Sequence, residues 1–171
     1  MSTKAEDLSS IIYRTRGDLQ VSQDRLRSRW ASIMALESLI VDDAPCQIPG
    51  AQRRELGERL SGDVTAAQGI HGCLMWATRV DAGQKGEPSL LSEGLRVAVT
   101  RAASLMSSLE AASMTLGLTE EGAVVTAARL EMCRRFLAAA QQDLSLITDE
   151  LAGLAGLVPP PPPRWQLRAV V

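Results

Sequence analysis

Leu130, Cys133, Leu137, Ala140, Leu144, Ile147, Leu151 and Leu154 follow one another in unbroken 3-4-3-4 steps. That spacing places all eight on one stripe of one helix, a period no strand can use. Arg129, Arg135, Gln142, Asp143 and Asp149 are assigned to the opposite face. Thr119, with Glu120 and Glu121 behind it, reads as an N-cap with acid in the first turn, so a helix is predicted over residues 119–157. A helix with a single apolar stripe has to cover it, and the rest of the chain is read for what does so.

Three more segments carry compatible stripes. In residues 3–42, Ile12, Leu19, Leu26, Ile33 and Ile40 recur at seven-residue intervals, a coiled-coil-like seam. Its companion positions Leu8, Thr15, Ser22, Arg29 and Leu36 are apolar only at the ends, so the middle of this first helix is expected to pack less well, with a kink at Gly17. Asp42, Asp43 and Pro45 are read as its stop and residues 46–50 as a loop. A second helix over residues 51–81 carries Leu56, Leu60, Ala67, Ile70, Leu74 and Ala77 with Val64 beside them. Gly57, Gly62, Gly69 and Gly72 interrupt it at about 0.5–1 kcal/mol each relative to alanine. They are read as marks of a closely packed neighbour, in preference to a break of the helix near Gly69 to Gly72, and Cys73, Leu74, Met75 and Trp76 as an apolar collar that something must cover.

After a loop at residues 83–87, Pro88 suits the first turn of a third helix, and Leu91, Leu95, Ala98, Ala102, Leu105, Leu109, Ala112 and Leu116 repeat up to a Gly117 cap. Between Val97 and Leu118 this helix has only Arg101 and Glu110 as charges, and its bland outer face, with Val99, Met106 and Met114, is read as a self-association surface. Leu118 and Thr119 leave room for a tight hairpin, making helices 3 and 4 antiparallel neighbours.

Composition agrees. The 46% of hydrophobic residues are mostly Ala and Leu, and three Trp, one Tyr and one Phe are too few to build a sheet core. The fold class is all-α: an antiparallel four-helix bundle over residues 1–158, with helices 1 and 4 projecting as a long pair beyond helices 2 and 3. It is followed by an extended tail over residues 159–171.

That tail opens with five prolines, Pro159 to Pro163, a stiff spacer of about 15 Å. Beyond them Trp165, Leu167, Ala169 and Val171 alternate with Arg164, Gln166 and Arg168, a period of two suited to an extended strand laid on a surface. Pro159, Pro162 and Arg164 also fit the spacing that polyproline-binding grooves read. Pro159, Pro162, Arg164, Trp165, Leu167, Arg168 and Val171 are therefore the candidate partner-binding residues, weighed against a tail that folds back over the tips of the bundle.

Chemistry-bearing groups are few. His71 is the only histidine. Phosphotransfer domains use one histidine on the second helix of a bundle, but follow it with a lysine and a close-packing glycine a turn later; here Gly72, Cys73, Leu74 and Met75 follow. A di-iron bundle needs two Glu-x-x-His pairs, which this chain lacks, and no P-loop, dinucleotide or Ser–His–Asp pattern occurs. Arg14, Arg16, Arg25, Arg27 and Arg29, with Arg53, Arg54 and Arg59, are the basic concentrations. Asp18, Asp24, Glu55 and Glu58 among them favour a solvated ion-pair face over a phosphate grip. A net charge of −2 provides no global field for nucleic acid.

Cys46, Cys73 and Cys133 have no metal or disulfide spacing, and neither a signal-peptide core nor a membrane-length apolar run is read, which points to the cytoplasm. The expected function is a non-enzymatic interaction module, an adaptor, chaperone or assembly factor, binding a protein through its tail, homo-oligomeric and without cofactor. Phosphotransfer through His71 is the second reading and nucleic-acid association through the arginines the third.

Overall fold

The four stripes close on one another as α1 (Ser2–Glu37), α2 (Gly50–Ala82), α3 (Leu90–Thr115) and α4 (Ala127–Ala155). The structure, a computed structural model, describes residues 2–41, 44–82, 90–117 and 124–160, the side chains of residues 2–7 excepted. Each helix packs on the next round the bundle, α1 on α2, α2 on α3, α3 on α4 and α4 back on α1.

Cross-links fix the directions. Gln23 of α1 donates to Thr148 of α4 and Arg134 of α4 to Glu37 of α1, so residue numbers rise along one helix as they fall along the other. Arg29 meets Asp63 between α1 and α2, Ser92 meets Asp81 between α3 and α2, and Arg101 meets Asp143 between α3 and α4. The topology is up-down-up-down. One pole holds the start of α1 and the end of α4, and the other holds the two linkers that carry β1 (Cys46–Gln47) and β2 (Val124–Val125). These pair antiparallel, Cys46 opposite Val125, and clip the α1–α2 linker to the α3–α4 linker.

All eight stripe residues of α4 are buried, as are the seven of α3 with Leu116 just beyond it, Leu56, Leu60, Ala67, Ile70, Leu74 and Ala77 of α2 and Leu8, Ile12, Leu19, Leu26, Ile33 and Leu36 of α1. Gly117 ends α3 with φ 60°, the left-handed cap its position predicts.

Several expectations are corrected. α4 begins at Ala127, not 119: Thr126 is the N-cap, its hydroxyl accepting from the Arg129 backbone N–H at 3.2 Å. The β-branched run of Val124, Val125 and Thr126 favours extended backbone, and β2 uses it. The α3–α4 connection is therefore longer than a tight hairpin; Leu118, Thr119, Glu120 and Glu121 lie outside the described residues, as do Asp42, Asp43 and Pro88. α1 is one helix through Gly17 and ends at Glu37, where Ser38 turns its hydroxyl back onto the Ala35 carbonyl and i→i+3 bonds tighten the chain. Ile40, half-buried, packs on the core from beyond the helix. The long elements are α1 and α2, of 36 and 33 residues, whereas α4 has 29, so no α1–α4 pair projects. Asp143 is buried rather than on the outer face of α4, because that helix packs against both α3 and α1 and its apolar stripe is wider than a two-helix seam.

The glycines divide. A Cβ on Gly62, Gly69 or Gly72 would meet nothing within 4 Å, so at these three positions the expected close neighbour is absent among the described residues, and Met75 and Trp76 of the collar stand exposed. The close approach is elsewhere: a Cβ on Gly94 of α3 would lie 2.7 Å from Leu154 Cδ2 of α4 and collide with the Glu150 carboxylate.

Candidate functional site

The pole where α1 starts and α4 ends sets where the tail departs. The last turn of α4 closes with the Gly156 N–H on the Gly153 carbonyl at 3.1 Å and the Leu157 N–H on Leu154 at 3.0 Å. Val158 still packs on the core, and Pro159, lacking an N–H, ends the run. The buried Ser9 hydroxyl donates to the Pro159 carbonyl, seating the exit beside α1, while Pro159 and Pro160 are exposed. The remaining tail candidates, Pro162, Arg164, Trp165, Leu167, Arg168 and Val171, lie outside the described residues.

Across the bundle from this exit, α2 and α3 present a surface with little charge. From Leu60 to Thr78 the only charged residue of α2 is Asp63, and it is buried. Toward the clipped pole, the N-terminal half of α2 and the C-terminal half of α3 form a groove of about 660 Å³. Gly57, Ser61 and Val64, spaced i, i+4, i+7, make one wall, and Met114, 80% exposed, overhangs the other. Glu58 on α2 and Glu110 on α3 stand at its two sides, with Arg54 at one end. Of the other two self-association candidates, Val99 and Met106 are half-buried and packed on the core. Sequence reading missed this groove, although the small residues at 57 and 61 beside Val64 are its signal.

The basic residues do not form one patch. Arg29, assigned to the surface group, is buried and makes two bonds to Asp63, Nε to Oδ2 at 2.6 Å and a terminal nitrogen to Oδ1 at 3.2 Å. A guanidinium whose N–H edge is held by a buried carboxylate is not available to a phosphate. The signal was in the register: Arg29 occupies a companion seam position and Asp63 falls in phase between Leu60 and Ala67. Arg27 pairs with Asp24, Arg59 with Glu55, and Arg16 lies 5.8 Å above the Tyr13 ring. Arg134 and Arg135 both bond Glu131, and these bonds, that of Arg135 foremost, hold its carboxyl below the usual range.

No family model, curated protein or solved structure matches this chain. His71 is half-buried on α2 and, among the described residues, makes no hydrogen bond. Cys133 is buried in the α4 stripe, and burial pushes its thiol up to about 12. Among the described residues no group of His, Cys, Asp and Glu is arranged to hold a metal ion, and no helix is long and apolar enough to cross a membrane.

Proposed function

We propose that this chain is a cytoplasmic, non-enzymatic protein–protein interaction module, of the adaptor, chaperone or assembly-factor kind, that presents residues 159–171 as a docking motif and self-associates through its helix surfaces. One observation carries the reading: the buried core of the described residues runs from Leu8 to Ala155 with Val158 packed on it, and Pro159 and Pro160, which follow it, are exposed. Apolar side chains placed after the exit cost roughly 25 cal/mol per Å² of surface left in water. A partner pocket removes that cost, with Trp165 as anchor and Arg164 and Arg168 at the wet rim. The weakly charged outer faces of α2 and α3, with Met75, Trp76 and Met114 exposed, supply the association surface.

Affinity capture with the intact chain, a Trp165→Ala variant and a chain ending at Val158 tests this. The intact protein should hold a partner that both variants lose, with the thermal midpoint of all three within a few degrees. A midpoint that drops by tens of degrees on truncation, or capture unaffected by Trp165→Ala, would overturn it.

A further inference from the structure

We propose that the receptor for the tail is the α2–α3 groove of a second copy of this chain, Trp165 and Leu167 lying on its apolar floor and Arg164 and Arg168 facing Glu58 and Glu110. The inference rests on the docking-motif reading and names its partner.

The two halves match in pattern. The groove offers Val64 and Met114 between two exposed carboxylates, one from each helix, and the small residues Gly57 and Ser61 make the depression a flat ring fills. In an extended chain, Trp165 and Leu167 project from one face and Arg164 and Arg168, about 13–14 Å apart along the chain, from the other, so that with the apolar pair on the floor the long arginine stems bend back over the rim to meet the carboxylates. With Arg54 at one end the groove carries two acids against one base, and residues 164–168 carry two bases and no acid.

Reach decides which copy. Pro159 sits at the level of Ser9, and Asp63, beside Val64 at the near end of the groove, sits at the level of Arg29. The helix between Ser9 and Arg29 is about 30 Å long. From Pro159 to Trp165 a fully extended chain spans at most about 21 Å. The groove also lies on the α2–α3 side of the bundle, opposite the α1–α4 exit. Trp165 therefore cannot enter the groove of its own bundle, and an unobstructed second copy can receive it.

Size argues for reciprocity. A buried tryptophan contributes about 150–250 Å², and one five-residue junction falls short of the roughly 1,200 Å² of a stable interface. Two junctions related by a two-fold axis, each tail in the other copy's groove, double the area buried in the complex.

Sedimentation velocity of the full chain over about 1–100 µM, the range where weak homodimers dissociate, tests this with three variants: tail reversal (Arg164→Glu with Arg168→Glu), groove reversal (Glu58→Arg with Glu110→Arg) and all four together. Far-UV circular dichroism and the thermal midpoint confirm that each is folded. The unmodified chain should dimerise, and each reversal alone should weaken the dimer by about 30-fold or more. The fourfold variant, and an equimolar mixture of the two single-side reversals, should recover it, since both restore opposite charges at every junction. A chain monomeric at every concentration, or a dimer indifferent to groove reversal, overturns the proposal. A dimer lost with the tail but not with the groove rejects this receptor and leaves the docking-motif reading standing, which the capture experiment judges separately.

Discussion

Replacing Arg29 and Asp63 one at a time and together should give three different answers. Their side chains are 9% and 6% exposed, and Asp63 borders a small void walled by Leu26, Ala67, Leu105, Leu109 and Leu144, with Ser22 its one other polar residue. In Arg29→Met the Asp63 carboxylate loses both bonds inside this apolar surround; in Asp63→Leu the guanidinium does. Breaking a buried pair from one side costs about 3–5 kcal/mol, out of a total stability of about 5–15 kcal/mol. For a chain of this size that is a fall of roughly 6–20 °C in thermal midpoint. The double variant Arg29→Met/Asp63→Leu removes both charges and keeps apolar volume, so it should come within about 1 kcal/mol of the parent or exceed it. Urea unfolding followed by circular dichroism at 222 nm measures all three. Additive losses, leaving the double variant the least stable, would refute the argument that the cost lies in the orphaned charge.

Gly69→Ala and Gly94→Ala should have opposite signs in the same unfolding assay. The first fills open space and gains about 0.5–1 kcal/mol of helix propensity; the second overpacks Leu154 at about 1–3 kcal/mol, more than that gain. Thr15→Val should stabilise by about 1 kcal/mol, because the buried Thr15 hydroxyl has no hydrogen-bond partner among the described residues; a loss would show that the hydroxyl is satisfied. With its thiol pushed up to about 12, Cys133 is protonated throughout the neutral range. At pH 8 a thiol reagent should therefore label the half-buried Cys46 and Cys73 first and reach Cys133 only on unfolding. Three thiols reacting at one rate in the native protein would contradict this.

What could be read in advance was whatever depended on period. The α3 and α4 stripes and the Gly117 cap follow from sterics local to the helix, and every stripe residue is where its phase puts it. Position in a seam does not disclose the partner across it, so Arg29 read as surface charge although its register was that of a core residue. Helix ends failed where two signals competed: Thr119 with two acids is as good a cap on paper as Thr126, and pairing of Val124 and Val125 with the α1–α2 linker, a contact across the fold, chose between them. The α2 glycines required a cause, and the one inferred was close packing. That approach occurs at Gly94, whose neighbours in sequence do not distinguish it.

The clip between β1 and β2 makes the bundle mechanically lopsided. At the pole of the strand pair the two linkers are tied together, and Arg134 links α4 to Glu37 at the end of α1. At the other pole, Ser9 and Pro159 join the first helix to the last. A partner drawing on the tail against the start of α1 therefore loads the Ser9–Pro159 bond and the packing of Leu8, Leu154 and Val158 around it, and the α1–α4 seam yields as a zipper, one turn after another, instead of resisting along its whole length in shear. Opening would advance past Gln23 and Thr148 and stop at the clipped end, leaving a hinge.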